Sequence, residues 1–163
     1  MRAFLTVLLV LGISSHAQAQ YQKMSKANSI NLSGFTSYAN LAWSKQLTNR
    51  NSITVGGFYF QDETNFITTN NYGTEVNFNR WLFRVDNAYL SAGAGLFLAH
   101  TEAKSVASAK ADDNTFGNDL RVELEYYPAW WLVVFGEIKQ LIFFNSDFFN
   151  SKFIAGGGIK IVF

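Results

Sequence analysis

The last eleven residues of the chain, 153–163, read Phe-Ile-Ala-Gly-Gly-Gly-Ile-Lys-Ile-Val-Phe and alternate strictly. One face carries aromatic, branched and small side chains, and the other face carries the only charge, Lys160. A period of two is that of a β-strand. Soluble strands average about five or six residues, whereas a tilted strand that crosses a bilayer needs about nine to eleven. This stretch therefore predicts a membrane-crossing strand.

The stretch also ends on an aromatic residue, as the closing strands of outer-membrane barrels do. This likeness to a class of proteins predicts a C-terminal signal that is read by the outer-membrane barrel assembly machinery. The residues that we assign to this signal are Ile159, Ile161 and Phe163.

The first nineteen residues have the pattern of a secretory signal peptide. Arg2 precedes an apolar run at 3–13, and Ala17-Gln-Ala19 supplies small residues for cleavage. Eleven apolar residues are too few to span about 30 Å of hydrocarbon as a helix, so a membrane anchor is the weaker interpretation. We predict a signal peptide at 1–19 and one exported domain at 20–163.

Removal of the signal leaves equal numbers of basic and acidic residues, 12 of each, so no direct contact with nucleic acid is expected. The chain has no Cys, which excludes disulfides and thiolate metal sites. Aromatic residues make up 17%, yet the exported part has no apolar run of about 18 residues that would predict a membrane helix. This composition favours a transmembrane β-barrel, with a secreted β-sandwich as the alternative.

From Ser29 onward, alternating segments separated by turn residues predict eight strands. Most short links lie around 48–52, 84–87 and 128–130, and the first link, near 35–38, is also short. The longer predicted loops lie at 61–71, 100–114 and 145–151. Short turns at one end and longer loops at the other are typical of outer-membrane barrels. We predict an all-β fold: a monomeric eight-stranded antiparallel up-and-down transmembrane β-barrel in outer-membrane lipid.

Aromatic residues cluster at the predicted strand ends, where two interfacial girdles are expected in a membrane barrel. The girdle at the ends of the even-numbered strands is predicted to contain Trp43, Trp81, Tyr126, Trp130 and Phe163. The girdle at the ends of the odd-numbered strands is predicted to contain Tyr59, Phe60, Phe97, Phe143 and Phe144.

Charged residues recur on the faces that would point into the barrel. They are Glu75, Asp119, Arg121, Glu123, Glu125, Glu137, Lys139 and Lys160. One hypothesis is acid/base chemistry or a charged path through the barrel. The preferred hypothesis is a salt-bridged plug, because an eight-stranded barrel is filled by its own side chains and buried charges must be paired. A porin is therefore not expected.

His100 is the one His of the exported part, with Thr101, Glu102 and Ser105 nearby. This arrangement raises the alternative of a lipid-modifying outer-membrane enzyme. A lone His in a predicted loop is far more often a solvated residue, and no cluster has metal-ligand spacing. We therefore predict no catalytic residue, no cofactor and no metal site.

The last third of the chain resembles the TraO family of conjugative transposons in the Bacteroidetes. The similar segments are Val122-Glu-Leu-Glu-Tyr-Tyr127, Leu132-Val-Val134 and 153–163. Within them, the Glu-x-Glu-Tyr step is similar to the family's penultimate hairpin and Gly-x-Gly-Ile-Lys to its end. This chain departs from the family at its front, because the longer segment that the family usually has between its first two strands is nearly absent here. The resemblance implies a structural or interaction role in conjugal DNA transfer, with other transfer proteins as partners. The alternative is a general surface barrel for adhesion or envelope integrity.

Overall fold

A computed structural model describes residues 27–64, 67–105 and 110–163, which form eight β-strands. Each strand pairs antiparallel with the next, and the last pairs with the first, so the sheet closes into a barrel. The predicted eight-stranded up-and-down topology is confirmed. Within these ranges no helix is long and apolar enough to cross a membrane. The strands are β1 (Asn28–Phe35), β2 (Tyr38–Gln46), β3 (Asn51–Thr64), β4 (Ile67–Val85), β5 (Ala88–Ser105), β6 (Lys110–Ala129), β7 (Leu132–Phe143) and β8 (Ser151–Val162).

The predicted signal peptide at 1–19 lies outside the described residues, and its cleavage stays a prediction. The start of β1 and the end of β8 lie side by side, since Asn28 and Phe163 exchange two backbone hydrogen bonds of 2.9 Å. We call this end of the barrel, which also holds the β2–β3, β4–β5 and β6–β7 turns, the lower end. The opposite end is the upper end.

The strands differ greatly in length. β4, β5 and β6 have 19, 18 and 20 residues, whereas β1 and β2 have 8 and 9. The β3–β4 and β5–β6 hairpins therefore rise above the rest of the wall at the upper end. The β4–β5 turn is tight because Asp86 takes a positive φ of 50°, as two-residue hairpin turns require.

The prediction of loops at 61–71 and 100–114 is wrong for the described residues of both segments. The β3–β4 ladder continues to the pair Thr64–Ile67, and the β5–β6 ladder continues to Lys104–Lys110. Both hairpins are rich in Thr, Asn, Asp and Lys, a composition that is also typical of loops. By contrast, the predicted loop at 145–151 agrees with an irregular link between Phe143 and Ser151.

Along the strands, apolar side chains face outward and polar side chains face inward, which is the reverse of the distribution in soluble globular proteins. Outward positions of β5 such as Leu96 and Leu98 are 64% and 65% exposed, whereas the inward Glu75 and Lys139 are each 1% exposed. The outer wall is thus apolar, and the interior holds the polar and charged groups. A burial pattern with period two fixes the register, because a slip of one residue would exchange the two faces.

Close approach of β8 to β1 closes the barrel, and it depends on Gly158. A Cβ atom at this position would lie 2.1 Å from the carbonyl oxygen of Leu32 and 2.7 Å from the Cα of Ser33. Both atoms belong to the backbone of β1, so neither can move away without disturbing the ladder. At the outward-facing Gly136, a Cβ atom would meet nothing nearer than 3.9 Å.

We expect Gly158→Ala to destabilise the barrel by about 1–3 kcal/mol, because the new methyl group forces β1 and β8 apart. Gly136→Ala, the matched control, should change the free energy of unfolding much less. The measurement is urea unfolding of the refolded protein in detergent micelles, followed by Trp fluorescence. Equal effects of the two substitutions would contradict the assignment of Gly158 to a tight seam.

Candidate functional site

Small polar side chains line the interior on the side of β1 to β4. The hydroxyl of Ser29 donates to Asn31 Oδ1 at 3.0 Å, and the amide of Asn31 donates to Ser44 Oγ at 2.6 Å. Ser44 and Thr54 share a hydrogen bond of 2.7 Å, and Asn79 donates to Thr54 at 3.1 Å. These short side chains leave room for the long charged side chains that project from the opposite wall.

An upper charge group is centred on Glu75 of β4. Arg121 Nη2 lies 2.6 Å from one carboxylate oxygen, and Lys139 Nζ lies 2.7 Å from the other. The amide of Asn40 donates a further hydrogen bond of 3.0 Å to Glu75, and Lys139 also donates to the hydroxyl of Tyr38 at 2.9 Å. Each oxygen of Glu75 therefore has its own cation, as a buried carboxylate requires.

Two more carboxylates complete the upper charge group at longer distances. Asp119 lies 3.4 Å from Arg121 and 3.7 Å from Lys139. Glu137 accepts a hydrogen bond of 2.7 Å from Ser33 and lies 3.6 Å from Arg121 Nε. The group thus joins residues of β1, β4, β6 and β7 across the barrel.

A lower charge group is centred on Lys160 of β8. Its ammonium contacts the carboxylates of Glu123 and Glu125, the latter at 2.6 Å. The hydroxyl of Tyr127 donates to Glu125 at 3.0 Å, and the ring of Phe135 lies 4.7 Å from the ammonium. Lys160 therefore holds together two carboxylates that would otherwise repel each other.

The predicted interior charge residues all point inward and are buried, and they sort into these two groups. The upper group has three carboxylates and two cations, and the lower group has two carboxylates and one cation. Each cation thus serves more than one carboxylate. Removal of a single cation would increase the excess of buried carboxylates over cations inside the barrel, which is far costlier than loss of a surface ion pair.

Aromatic and aliphatic side chains close the interior above the charges. Phe58 lies 6.0 Å from Phe97, Phe97 lies 5.0 Å from Phe143, and Phe143 lies 5.5 Å from Phe149 of the β7–β8 link, as ring centroids. We name this cluster the upper plug. The buried members are Tyr38, Phe58, Phe60, Phe97, Ala99, Leu141, Phe143 and Ile154, and Phe149 packs on them.

The upper plug corrects part of the predicted outer girdle. Phe60, Phe97 and Phe143 are at inward positions and buried, so their assignment to the outer surface is wrong. They are aromatic because they fill the barrel, not because they face an interface. Phe144 lies on the outer wall, where its ring centroid is 5.5 Å from that of Phe116, and Tyr59 lies 5.2 Å from Tyr72.

A second cluster lies below the charges and corrects the assignment of Trp81. The ring of Trp81 packs 4.5 Å from that of Tyr89, which is itself 5.0 Å from Tyr127. The prediction that Trp81 belongs to the outer girdle is wrong, because Trp81 is in phase with the inward-facing Glu75 and Asn77, and the β-bulge between Trp81 and Phe83 changes the phase only after it. Before the bulge odd-numbered side chains point inward, and after it Phe83 points outward.

The other predicted girdle residues are exposed on the outer wall near the lower end. They are Trp43, Tyr126, Trp130 and Phe163. Ile159 and Ile161 share the outward face of β8 with Phe163. The role of these three residues in assembly stays a prediction.

His100 lies at an outward position of β5. Its Nδ1 atom lies 2.9 Å from Asn114 Oδ1 on the outer wall. Thr101 points the opposite way, into the barrel, where its hydroxyl donates to Asn71 at 2.6 Å. In the described ranges, no group of three or more His, Cys, Asp or Glu residues is placed to hold a metal ion.

The uncharged partners of the charge groups, among them Ser33, Tyr38 and Asn40, are not among the predicted site residues. All three occupy inward positions of the alternating pattern, and that pattern was a sufficient signal for their orientation. What it could not supply is the distance across the barrel, since Ser33 and Glu137 are 104 positions apart in the chain.

Comparison with solved structures gives the same architecture in small bacterial barrels. The N-terminal β-barrel domain of Pseudomonas aeruginosa OprF matches with a TM-score of 0.65 at 13% identity, over 85% of this chain and 98% of that domain. Neisserial surface protein A matches with a TM-score of 0.67 at 9% identity, over 84% and 94%. Ail, the attachment invasion locus protein of Yersinia pestis, matches with a TM-score of 0.53 at 13% identity, over 85% and 100%.

No protein-family model matches the sequence, and the search of curated proteins gives no match. At such low identity the structural matches establish a shared fold, the closed eight-stranded β-barrel.

We expect Lys160→Met to destabilise the barrel by about 3–5 kcal/mol, because it leaves the buried Glu123 and Glu125 without their cation. A double variant, Glu123→Gln with Lys160→Met, should recover part of this loss because it removes one of the two carboxylates. The matched control is Lys45→Met on the outer wall, which should be nearly neutral. The measurement is the free energy of urea unfolding in detergent micelles at neutral pH.

A double variant no more stable than Lys160→Met would contradict the charge argument. The loss would then come from the altered shape of the side chain rather than from the carboxylates left behind.

Proposed function

We propose that this protein is a non-enzymatic β-barrel of the bacterial outer membrane. The barrel anchors the chain, and the upper hairpins present a surface to partners. The observation that carries this proposal is the inverted distribution of side chains, with an apolar outer wall around a buried, ion-paired interior. In water such a wall would be an aggregation hazard, whereas in a bilayer it is the favourable face.

The extent of the apolar wall agrees with the thickness of a bilayer. On β6 the outward positions from Phe116 to Tyr126 are apolar except for Asn118, over eleven residues. On β8 the outward positions from Phe153 to Phe163 are apolar or glycine, again over eleven residues. A tilted strand needs about nine to eleven residues to cross.

The filled interior supports an anchoring role rather than transport. The upper plug covers the two charge groups from one side, and Lys152 and Asp62 form an ion pair of 2.7 Å between β8 and β3. Below the charges, a cavity of about 20 Å³ has room for about one water molecule. A solute would have to displace buried ion pairs to pass.

We propose further that the protein takes part in conjugal DNA transfer as a TraO-like component. This narrower role rests on the resemblance of 122–127, 132–134 and 153–163 to that family. The balanced charge of the exported part favours contact with other transfer proteins over contact with DNA. In this role the upper hairpins and the β7–β8 link meet the partners.

The membrane proposal is tested by heat-modifiability of the full chain in the membrane fraction of expressing cells. A folded barrel resists detergent when it is not boiled, so we expect the unboiled and boiled samples to migrate differently on a gel. We also expect the shifting band in the outer-membrane fraction. A soluble periplasmic product that shows no shift would overturn the proposal.

The narrower proposal is tested by deletion of the gene in a host that carries its transfer genes. We expect the frequency of mating to fall and to recover when the wild-type gene is returned. An unchanged frequency, with defects in adhesion or in envelope integrity instead, would favour the general surface barrel. The membrane proposal would survive that outcome.

A further inference from the structure

A groove opens at the rim of the lower end, between the β2–β3 turn and the end of β4. Its volume is about 310 Å³. The β-bulge forms one wall of the groove, since the extra residue leaves both Leu82 and Phe83 on the outer face, at 57% and 59% exposure. The lining residues are Asn49, Arg50, Trp81, Leu82, Phe83, Arg84 and Tyr89.

Two guanidinium groups line this groove, and the local backbone holds both segments in place. Arg50 lies in the β2–β3 turn, where the hydroxyl of Thr48 accepts hydrogen bonds from the N–H groups of Arg50 and Asn51 at 3.3 and 3.1 Å. The carbonyl oxygen of Arg50 also accepts from the N–H of Trp81 at 2.8 Å. The turn is thereby attached to the strand that carries the bulge.

The guanidinium of Arg84 is oriented by two contacts. Its Nε donates to the carbonyl oxygen of Asp86 at 2.8 Å, and its carbon lies 5.2 Å from the centre of the Tyr89 ring. Arginine has five N–H donors in a planar fork, so one bond through Nε leaves the outer nitrogens for a ligand.

The Arg side chains at the groove form no ion pair with the described part of the chain. Arg50, Arg80 and Arg84 are exposed, and Arg80 pairs in the ladder with Asn51 beside the groove. Among the described residues, no carboxylate lies within ion-pair distance of these three side chains. Asp86 is the nearest acid in sequence, and Arg84 contacts its main chain instead. The groove is therefore complementary to an anion.

We propose that this groove binds the phosphate group of an anionic phospholipid in the leaflet at the lower end. Guanidinium forks match phosphate oxygens in pairs. Leu82 and Phe83, exposed beside the cations, offer an apolar surface for the acyl chains. The position at the edge of the apolar wall is the level at which phosphate groups lie in a bilayer. This inference rests on the proposed membrane location, and it deepens the anchoring role.

The test uses the full exported barrel, purified folded in a non-ionic detergent and studied by native mass spectrometry. Phosphatidylglycerol and phosphatidylcholine with identical acyl chains are added in turn. We expect phosphatidylglycerol to remain bound at about tenfold lower concentration, because phosphatidylcholine adds a cationic group next to the Arg side chains.

Variants locate the bound lipid. Arg50→Gln with Arg84→Gln should weaken phosphatidylglycerol binding by about tenfold or more, because two charge-assisted contacts are lost. The control Lys104→Gln, an exposed cation at the upper end, should leave the binding unchanged. Arg84→Lys should retain part of the affinity, since it keeps the charge and loses the fork.

The outcomes separate this inference from the proposed function. A barrel that shows the heat-dependent gel shift but binds both lipids equally, or binds them independently of Arg50 and Arg84, overturns the phospholipid site and leaves the membrane proposal intact. Competition by inorganic phosphate at the concentration of the lipid also overturns it, since the acyl chains would then contribute nothing. Absence of the gel shift contradicts the proposed function itself.

Discussion

The pairing of Glu75 with two cations is the constraint on which the rest of the interior depends. Arg121 and Lys139 approach its two oxygens from β6 and β7, so the carboxylate of β4 is tied to the opposite wall. A buried charge is tolerated only when its partners are in place. The barrel must therefore close with the correct register before these charges can be buried, and the outer face of every strand is fixed by the same register.

The apolar outer wall and the ionic interior are consequences of one another. Burial of apolar side chains ordinarily drives a chain to collapse inward, yet here most of the large apolar side chains point outward, and the upper plug is the main exception. The polar and charged groups lie in the middle of the interior because period-two alternation leaves only the inward face for them. The upper plug and the lower aromatic cluster then shield the ion pairs at both ends, which lowers the local dielectric and strengthens the pairing.

Much of this architecture is readable from the sequence, since alternation is a local property. The inward positions of Arg121, Glu123 and Glu125 follow directly from the spacing in 119–126. The errors in the predicted loops and girdle arise where the same local sequence pattern is compatible with two structures. The tops of β3 to β6 are polar strands and resemble loops, and Trp81, although in phase with the inward residues of β4, lies at a strand end where a girdle residue is expected. The distances within the charge groups depend on closure of the barrel, which no local pattern encodes.

The β-bulge after Trp81 links an irregularity of the wall to the proposed lipid site. An uninterrupted ladder would have kept Leu82 and Phe83 on opposite faces and left no groove beside the β2–β3 turn. By inserting one residue after the inward-facing Trp81, the bulge places both Leu82 and Phe83 on the outer face and opens the rim between Arg50 and Arg84. β-bulges re-aim side chains in this way at the rims of barrels. One local departure from ideal pairing therefore builds the apolar side of the proposed phosphate site.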